Sequence, residues 1–404
     1  MILRPYQKAL VEKAVAALQT HGNTLAVAPT GSGKTIMLSK VASQIGGRQC
    51  ILQHRDELTM QNMEKYRKMS PKTSVGMYTA DSKSWEADAT FAMVQTLSRS
   101  NGLRSIPKLD LLVIDEAHHA VAPSYRKVVD AVRNRNPDCM VFGVTATPAR
   151  GDGKGLRSMF DNCCGQISLH SLITMGFLVK PRTFICALEG ADDKLARLRK
   201  TSSGEYDMDE AAEILNVTVH NEAVFAKWKE LAPDRKTIIF ASNVAHARDV
   251  ASTFLSHGVK TEVVTGETPA AERKAILNGF DKGGTQVLVN VAVLTEGYDS
   301  QPVSCVILLR PCSFKSTMVQ MIGRGLRTVN SEEYPGVVKK DCLVLDFGNS
   351  LATHRDLESK VRFEDKTRVC PNCEGEIPCG TSECPICGYA LGGFFRQAKQ
   401  VDRF

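Results

Sequence analysis

Residues 28–35 read Ala28-Pro29-Thr30-Gly31-Ser32-Gly33-Lys34-Thr35, after an apolar run and before a segment with helical periodicity. In this context the two glycines let backbone N–H groups turn toward a phosphate, and the helix N-terminus adds its positive end. Lys34 would reach the terminal phosphates and Thr35 would ligate Mg²⁺. The alternative is a plain glycine-rich turn, and the Gly-Lys-Thr ending favours the phosphate-binding loop. The general pattern has glycine where Ala28 stands.

Short β-rich apolar runs alternate with helical segments around this loop, which predicts parallel α/β layers. The alternation pauses over Glu189–Leu215, a charged stretch poor in strand formers, which we interpret as a hinge or a helical insertion. The predicted strands are Leu25–Ala28, Cys50–Gln53, Leu109–Ile114, Met140–Val144, Thr237–Ala241, Val259–Val264, Gln286–Val291, Val303–Leu309 and Cys342–Leu345. The predicted helices are Thr35–Ile45, Tyr125–Asn134, Val244–Ser256 and Pro269–Phe280. We therefore predict two tandem α/β domains, over residues 1–175 and 176–350, with 190–215 as the hinge or insertion.

The composition is that of a globular protein. The chain has 404 residues, of which 43% are hydrophobic and 24% charged. This length suits two large domains and excludes a small disulfide scaffold. No run approaches the roughly 20 apolar residues of a membrane-spanning helix, and the N-terminus lacks the pattern of a secretory signal, so we expect a cytoplasmic protein. Residues 1–175 hold 22 Lys+Arg against 14 Asp+Glu, which fits a phosphate-contacting surface and an ordinary solvated face equally well.

A second motif reads Val113-Ile114-Asp115-Glu116-Ala117-His118-His119 and places two carboxylates at the end of a predicted buried strand. Ligands bind at that edge of a parallel sheet. Asp115 would hold Mg²⁺, and Glu116 would polarise the water that attacks the γ-phosphate. Taken alone, the acidic pair could cap a helix. Together with the phosphate-binding loop upstream, it indicates nucleotide hydrolysis.

The chain carries 13 cysteines, five of them between residues 370 and 387. Cys370, Cys373, Cys384 and Cys387 form two Cys-x-x-Cys pairs, which predict a closed tetrahedral zinc site of structural type. A redox-active pair is the alternative, and Cys379 is left over. The module would close a small fold or contact nucleic acid or a partner. We divide the C-terminal part into a connector (351–366), a zinc ribbon (367–391) and a tail (392–404).

In their order along the chain, these motifs resemble superfamily two helicases and translocases of the DEAH type. The resemblance also rests on Arg4-Pro5-Tyr6-Gln7, Thr145-Ala146-Thr147-Pro148, Leu294-Thr295-Glu296-Gly297-Tyr298-Asp299 and Gln320-Met321-Ile322-Gly323-Arg324-Gly325-Leu326-Arg327. It implies an α/β fold of two tandem RecA-like parallel-sheet domains that close on ATP, with the small zinc ribbon behind them.

The resemblance implies a nucleotide site shared by both domains. Gln7 would hydrogen-bond the adenine edge, and Thr145 and Thr147 would link hydrolysis to domain movement. Arg324 and Arg327, three residues apart on one helix face, would be arginine fingers; surface salt-bridge arginines are the alternative. The implied catalytic residues are Lys34, Asp115, Glu116, His118, Gln320, Arg324 and Arg327. The implied nucleotide-binding residues are Arg4, Tyr6, Gln7, Pro29, Thr30, Gly31, Ser32, Gly33, Lys34, Thr35, Gly297 and Asp299, with Thr35 and Asp115 on Mg²⁺.

The resemblance also implies contacts to a nucleic-acid backbone from both domains. His54, Arg55 and Thr96 would make them in the first domain, and Thr295 in the second. An arginine finger from a separate domain makes hydrolysis depend on closure of the cleft. Closing and opening would then move these contacts along the strand.

Within the superfamily, several segments resemble the RadD group of bacterial DNA-repair helicases. They are Arg4–Gln7, Ile239–Ala241, Val244–Ala247, Thr265–Pro269 and Val289–Thr295. The chain ends 17 residues after Cys387, which is short for that group. We therefore expect a compact version, such as one encoded by a phage or mobile element.

The expected activity is that of an ATP-dependent DNA helicase or translocase in repair, recombination or replication, in a bacterial or phage-infected cell. The expected partners are single-stranded or branched DNA and single-strand DNA-binding protein, with a monomeric chain and no membrane. Three alternatives stay open: an RNA helicase, the motor subunit of a restriction or defence complex that translocates without unwinding, and a nucleic-acid scaffold that uses ATP as a switch.

Overall fold

Two parallel β-sheets, each packed between helices, form two successive lobes. The computed structural model of the protein describes residues 3–54, 56–147, 156–202, 204–294, 298, 300–355, 357, 367–369, 371–372 and 376–378, without the side chains of residues 56–61. The two parallel sheets confirm the predicted α/β class.

The first lobe is built on one twisted sheet. Its strands are β1 (Asn23–Val27), β2 (Gln49–Gln53), β3 (Val75–Tyr78), β4 (Ala89–Met93), β5 (Leu111–Asp115), β6 (Met140–Thr145) and β7 (Cys163–Gln166). They lie in the order β3-β4-β2-β5-β6-β1-β7, and neighbouring strands are parallel. The helices are α1 (Pro5–His21), α2 (Lys34–Ile45), α3 (Asp56–Met69), α4 (Val94–Leu97), α5 (Ser100–Ser105), α6 (Pro123–Arg135) and α7 (Leu169–Thr174), with 3₁₀ turns at Ala117–His119 and Leu156–Ser158.

The second lobe repeats this design. Its strands are β8 (Lys180–Ile185), β9 (Thr237–Ala241), β10 (Thr261–Val264), β11 (Val287–Asn290), β12 (Cys305–Leu309) and β13 (Asp341–Asp346). They lie in the order β10-β11-β9-β12-β13-β8, again with parallel neighbours. The helices are α8 (Asp192–Leu195), α9 (Met208–Leu215), α10 (Thr218–Leu231), α11 (Val244–Ser256), α12 (Ala270–Asp281), α13 (Lys315–Gly323) and α14 (Ser350–His354).

Each sheet separates two apolar cores, because helices cover both faces of a parallel sheet. Along β1, Leu25 and Val27 point into the core that holds Tyr125 of α6, whereas Ala26 points into the core that holds Leu38 of α2. The consecutive residues Leu25, Ala26 and Val27 are therefore all apolar, as the predicted strand Leu25–Ala28 requires, whereas β1 begins with the polar Asn23 and Thr24. The burial fixes the register of the strands and therefore the positions of the loops that follow them.

The charged segment at residues 189–215 follows β8 and belongs to the second lobe. Helices α8 and α9 lie within it, and Leu195, Ala211 and Leu215 are buried in the same core as Ile239 of β9. The described residues of 190–215 are therefore packed against the second sheet, as a helical insertion would be.

The carboxyl ends of β1, β2, β5 and β6 meet at one edge of the first sheet, since these strands are parallel. The phosphate-loop residues follow β1, His54 follows β2, Asp115 ends β5 and Thr145 ends β6. In the second lobe, α13 follows β12 and carries Gln320 near its end. The topology thus gathers motifs that are far apart in sequence.

The C-terminal module is described only in part. Strands β14 (Thr367–Val369) and β15 (Glu376–Pro378) form an antiparallel pair. The predicted zinc ligands Cys370, Cys373, Cys384 and Cys387, and the extra Cys379, lie outside the described residues. Within the described ranges, none of the helices has the length and apolar character that a membrane crossing requires.

Two glycines predict opposite effects of added side-chain volume. A Cβ on Gly143 of β6 would overlap the ring of Phe160, whereas a Cβ on Gly279 of α12 would meet its nearest atom only at 4.0 Å. We expect Gly143→Ala to destabilise the first lobe by about 1–3 kcal/mol through overpacking. We expect Gly279→Ala to stabilise the second lobe by about 0.5–1 kcal/mol, because alanine suits a helix interior better than glycine.

Denaturant unfolding followed by tryptophan fluorescence measures both effects, since the chain has two tryptophans. Trp85 packs on a first-lobe core and Trp228 lies inside a second-lobe core. Replacing one of them with phenylalanine leaves a reporter for the other lobe. An unchanged first-lobe transition in Gly143→Ala would contradict the described packing.

Candidate functional site

A cleft of about 730 Å³ lies between the two lobes, at the carboxyl edge of the first sheet. Both lobes contribute to its walls. From the first come Arg4, Gln7, Thr30, Gly31, Gly33, Lys34, Thr35, Ile36, Asn62, Lys65, Asp115 and Glu116, and from the linker and second lobe come Phe177, Gln301, Arg324, Arg327, Thr328, Val329, Asn330 and Glu333. The structure therefore brings together most of the nucleotide-site residues indicated by the sequence. Pro29 instead lines a smaller, largely apolar cavity between the lobes.

The loop between β1 and α2 needs both of its glycines. Gly31 and Gly33 have φ values of 85° and 80°, which side chains other than glycine rarely adopt. A Cβ on Gly33 would lie 2.5 Å from Nε2 of Gln7, and a Cβ on Gly31 would lie 2.9 Å from Leu178. Gly31 and Gly33 thus line the cleft, and side chains at these positions would clash with Gln7 and Leu178.

Lys34 and Glu116 form an ion pair at the base of the cleft. The Nζ atom of Lys34 lies 3.1 Å from Oε1 of Glu116, and the two side chains are 12% and 13% exposed. Nδ1 of His118 lies 3.4 Å from the other carboxylate oxygen. Burial alone would raise the pKa of Glu116, but Lys34 and His118 outweigh it and hold the pKa far below its usual range. Glu116 is therefore a carboxylate at neutral pH.

Asn62 connects the two predicted Mg²⁺ ligands. Its Oδ1 atom accepts a hydrogen bond of 2.9 Å from the hydroxyl of Thr35, and its Nδ2 atom donates one of 3.2 Å to Asp115. Asn62 is 3% exposed. Hydroxyl and carboxylate oxygens are the hard donors that Mg²⁺ prefers, so this donor set fits the ion. Asn62 could not be identified from the sequence, because an asparagine inside a helix matches no local motif.

The predicted coupling residues contact the acidic motif. The hydroxyl of Thr145 donates to the carbonyl of Thr147 at 3.1 Å and accepts from the Thr147 N–H at 3.2 Å. Nδ1 of His118 lies 3.1 Å from the same hydroxyl. Since the Thr145 proton is directed to Thr147, the contact is satisfied when His118 donates from Nδ1. The end of β6 is thereby joined to Glu116 through one imidazole.

The N-terminal motif supports the phosphate-binding loop from behind. Gln7 accepts a hydrogen bond from the Arg4 N–H at 2.9 Å and donates one of 2.9 Å to the carbonyl of Ser32. The Tyr6 hydroxyl donates to the same carbonyl at 2.8 Å, and burial raises the pKa of Tyr6, so the hydroxyl stays protonated. Gln7 and Tyr6 are thus hydrogen-bonded to the loop itself.

Phe177 is a cleft residue that the sequence patterns missed. Its ring centroid lies 4.7 Å from the Arg4 guanidinium carbon and 5.0 Å from the Tyr6 ring centroid. An aromatic residue in a short linker has no periodic signal. Only the folded structure shows that Phe177 lines the cleft and packs there against Arg4 and Tyr6.

The second lobe reaches the cleft through the turn that follows α13. Because α13 ends at Gly323, the prediction that Arg324 and Arg327 share one face of a helix is wrong. Nη1 of Arg324 donates to the carbonyl of Tyr298 at 2.7 Å, and Nη1 of Arg327 donates to the same oxygen at 3.1 Å. A Cβ on Gly31 would lie 3.3 Å from Cγ of Arg327. Both arginines therefore lie beside the phosphate-binding loop, while Gln320 is buried in α13.

The described residues predicted to contact nucleic acid in the first lobe, His54 and Thr96, lie at the same carboxyl edge of the sheet. Gln95 donates a hydrogen bond of 2.8 Å to the carbonyl of His54, and Thr96 follows it in α4. The remaining predicted residues Arg55, Thr295, Gly297 and Asp299 lie outside the described part of the chain.

Two protein families match the two lobes. The family described as "Type III restriction enzyme, res subunit" matches residues 1–150, and the "Helicase conserved C-terminal domain" matches residues 220–329. Together the two matches cover more than half of the chain.

Two yeast relatives match nearly the whole chain. A Saccharomyces cerevisiae protein named as the ATP-dependent helicase IRC3 is 28% identical over 366 residues, which are 86% of this chain and 51% of the relative. A Schizosaccharomyces pombe protein named as the mitochondrial ATP-dependent helicase irc3 is 32% identical over 364 residues, 86% of this chain and 58% of the relative. The chain thus spans little more than half the length of these relatives.

An archaeal relative and a solved structure extend the comparison. The DNA 3'-5' translocase XPB2 of Sulfurisphaera tokodaii is 26% identical over 369 residues, 82% of this chain and 80% of the relative. A fragment described as an HsdR subunit of a type I restriction enzyme from Vibrio vulnificus superposes with a TM-score of 0.67 at 22% identity, covering 88% of this chain and 66% of the fragment. The fold agrees with the RecA-like architecture, and the chain belongs to the superfamily two helicases.

Proposed function

We propose that the protein is an ATP-dependent DNA helicase or translocase that couples ATP hydrolysis to movement on DNA or to its remodelling. The observation that carries the proposal is the interlobe cleft, which combines a phosphate-type loop, a buried carboxylate and two arginines from the opposite lobe. Relatives named as ATP-dependent helicases and as a DNA translocase support it.

In this proposal the first lobe binds the triphosphate and prepares the attacking water. The N–H groups of residues 31–35 and the ammonium of Lys34 face the phosphates. Thr35 and Asp115 hold Mg²⁺, which neutralises phosphate charge when bound. Glu116, which is ionised at neutral pH, orients the water and accepts its proton.

The second lobe completes the site when the cleft closes. Arg324 and Arg327 exchange the carbonyl of Tyr298 for phosphate oxygens and stabilise the charge of phosphoryl transfer. Hydrolysis then depends on closure of the cleft. Thr145 and Thr147 couple changes at Glu116 to the carboxyl edge of the first sheet. Closure also displaces the contacts to the nucleic-acid backbone, which are provided by His54, Arg55, Thr96 and Thr295.

DNA is the proposed track because XPB2 is named as a DNA translocase. The proposed partners are single-stranded or branched DNA and a single-strand DNA-binding protein. The proposed cellular role is in DNA repair, recombination or replication. The narrower assignment to the RadD group stays a prediction from the sequence segments quoted above.

The domain layout is also part of the proposal. Residues 1–175 form the ATP-binding domain and residues 176–350 the second motor domain, followed by a connector, a Cys₄ zinc ribbon and a tail. The zinc ribbon stabilises the C-terminal module or contacts the DNA.

A substrate panel tests the proposal. We expect ATP hydrolysis to be stimulated more by single-stranded or branched DNA than by RNA of the same length and sequence. The measurement is the steady-state hydrolysis rate with each nucleic acid, together with strand separation. Greater stimulation by RNA would support the RNA-helicase alternative, and translocation without strand separation would support the restriction-motor alternative. No stimulation by any nucleic acid would contradict the proposal.

Two substitutions separate binding from hydrolysis. We expect Lys34→Ala to abolish tight ATP binding, because the loop loses its cation. We expect Glu116→Gln to retain ATP binding but to slow hydrolysis roughly 10²–10⁴-fold, since the amide cannot accept the proton of the water. Nucleotide binding by fluorescence and single-turnover hydrolysis measure the two effects.

The matched control for Glu116 is Glu12→Gln on the exposed face of α1, where Glu12 lies 4.0 Å from Lys8. This variant should behave as the wild type. Full hydrolytic activity in Glu116→Gln would overturn the role of that carboxylate.

The zinc proposal has its own test. We expect about one zinc ion per chain, and combined Cys384→Ser and Cys387→Ser substitution should release it. Metal analysis of freshly purified protein measures the content. Cys379→Ser is the control and should retain the ion. Metal-free wild-type protein would contradict the site.

A further inference from the structure

Three histidine rings form a continuous contact at the carboxyl edge of the first sheet. The ring centroids of His54 and His119 lie 4.8 Å apart with planes 19° from parallel. Those of His119 and His118 lie 4.0 Å apart at 44°. His54 follows β2, whereas the other two lie in the 3₁₀ turn after β5, so the rings connect two loops of the sheet edge.

The outer end of this stack is the surface proposed to face nucleic acid. Nε2 of Gln95 donates to the carbonyl of His54 at 2.8 Å and lies 3.4 Å from its Nδ1. Gln95 itself is exposed. An exposed amide that holds a neighbouring loop is well placed to exchange this bond for one to a phosphate or sugar oxygen.

The inner end is the hydrolytic site. Nδ1 of His118 lies 3.1 Å from the hydroxyl of Thr145 and 3.4 Å from Oε2 of Glu116, and Glu116 is paired with Lys34. A series of direct contacts therefore connects the exposed amide of Gln95 to the carboxylate of Glu116 and the ammonium of Lys34.

His119 occupies the middle of this sequence and has no role in the proposed chemistry. Its ring also faces that of Tyr125 at a centroid distance of 6.4 Å and an angle of 19°, and Tyr125 is 1% exposed in the core. The buried tyrosine gives the stack a fixed backing. Packed interiors are poorly compressible, so Tyr125 resists displacement of the His119 ring. A shift of the His54 ring is therefore transmitted through His119 to His118.

We propose that His119 is a positioning residue that couples nucleic-acid contact at His54 and Gln95 to the geometry of Glu116, acting through the ring of His118. The inference rests on the proposed function. The two states of the device are Gln95 bonded to the His54 loop and Gln95 bonded to nucleic acid. In the second state Gln95 no longer bonds the carbonyl of His54, and the three histidine rings take new positions. The contacts of His118 with Thr145 and Glu116 change as a result.

The test compares stimulated and unstimulated hydrolysis in His119→Ala and His119→Phe. We expect His119→Ala to lower the stimulation of kcat by single-stranded DNA by about tenfold, within the usual range of coupling between sites. Its unstimulated kcat, its KM for ATP and its affinity for DNA should stay near the wild-type values. His119→Phe retains a flat ring of similar size and should keep most of the stimulation.

A double-mutant cycle with Gln95→Ala adds a readout that a merely structural role would not produce. If Gln95 and His119 act along one route, the double variant should lose no more stimulation than the more affected single variant. His257→Ala is the matched control, since His257 also stacks on a ring, that of Phe225 at 4.0 Å and 6°, but in the second lobe. This variant should keep full stimulation.

The outcomes separate the two proposals. A wild-type enzyme without ATP hydrolysis or without stimulation would overturn the proposed function and the coupling together. Normal wild-type stimulation that His119→Ala leaves unchanged would overturn the coupling alone. Equal loss in His119→Phe and His119→Ala, or additive losses in the double variant, would likewise overturn the ring stack as the route. If His119→Ala does not fold, His119→Gln takes its place in each comparison.

Discussion

The buried ion pair between Lys34 and Glu116 is the constraint on which the cleft depends. It ties the start of α2 to the end of β5 across 3.1 Å in a largely desolvated place. Either charge left there without its partner would be strongly unfavourable, so the loop, the acidic motif and the helix are held in one geometry. Glu116 accepts a left-handed backbone with φ of 48° to reach this position. The same pairing holds Lys34 at the base of the cleft, where a bound triphosphate would compete for it.

Small residues set how closely the two lobes approach this pair. A Cβ on Gly323 would lie 2.6 Å from Cβ of Thr30, and the backbone of Leu178 pairs with that of Arg327. The end of α13 thus rests on the phosphate-binding loop with almost no space between them. A change at either surface moves Arg324 and Arg327 relative to the loop.

Local patterns predicted most of the central strands but missed the buried strand β4, and they predicted the tertiary contacts poorly. Strand β9 and helix α11 cover the residues predicted for them, because apolar strands and a capped helix leave a local signal. The edge strands β3 and β7 were not predicted, since their residues are mostly only half-buried and lack a continuous apolar run. Asn62 and Phe177 could not be predicted, because their contacts arise only when α3 and the interlobe linker are folded against the loop. The phosphate-binding loop was predictable because its chemistry lies within eight consecutive residues.

The proposed mechanism requires guanidinium groups of the second lobe to complete a phosphate site of the first. A structure with a non-hydrolysable ATP analogue and Mg²⁺ tests this most directly. We expect Arg324 or Arg327 to leave the carbonyl of Tyr298 and to lie about 3 Å from an oxygen of the γ-phosphate, with Lys34 on the β- and γ-phosphates. Both arginines still bonded to Tyr298 around a fully bound nucleotide would contradict it.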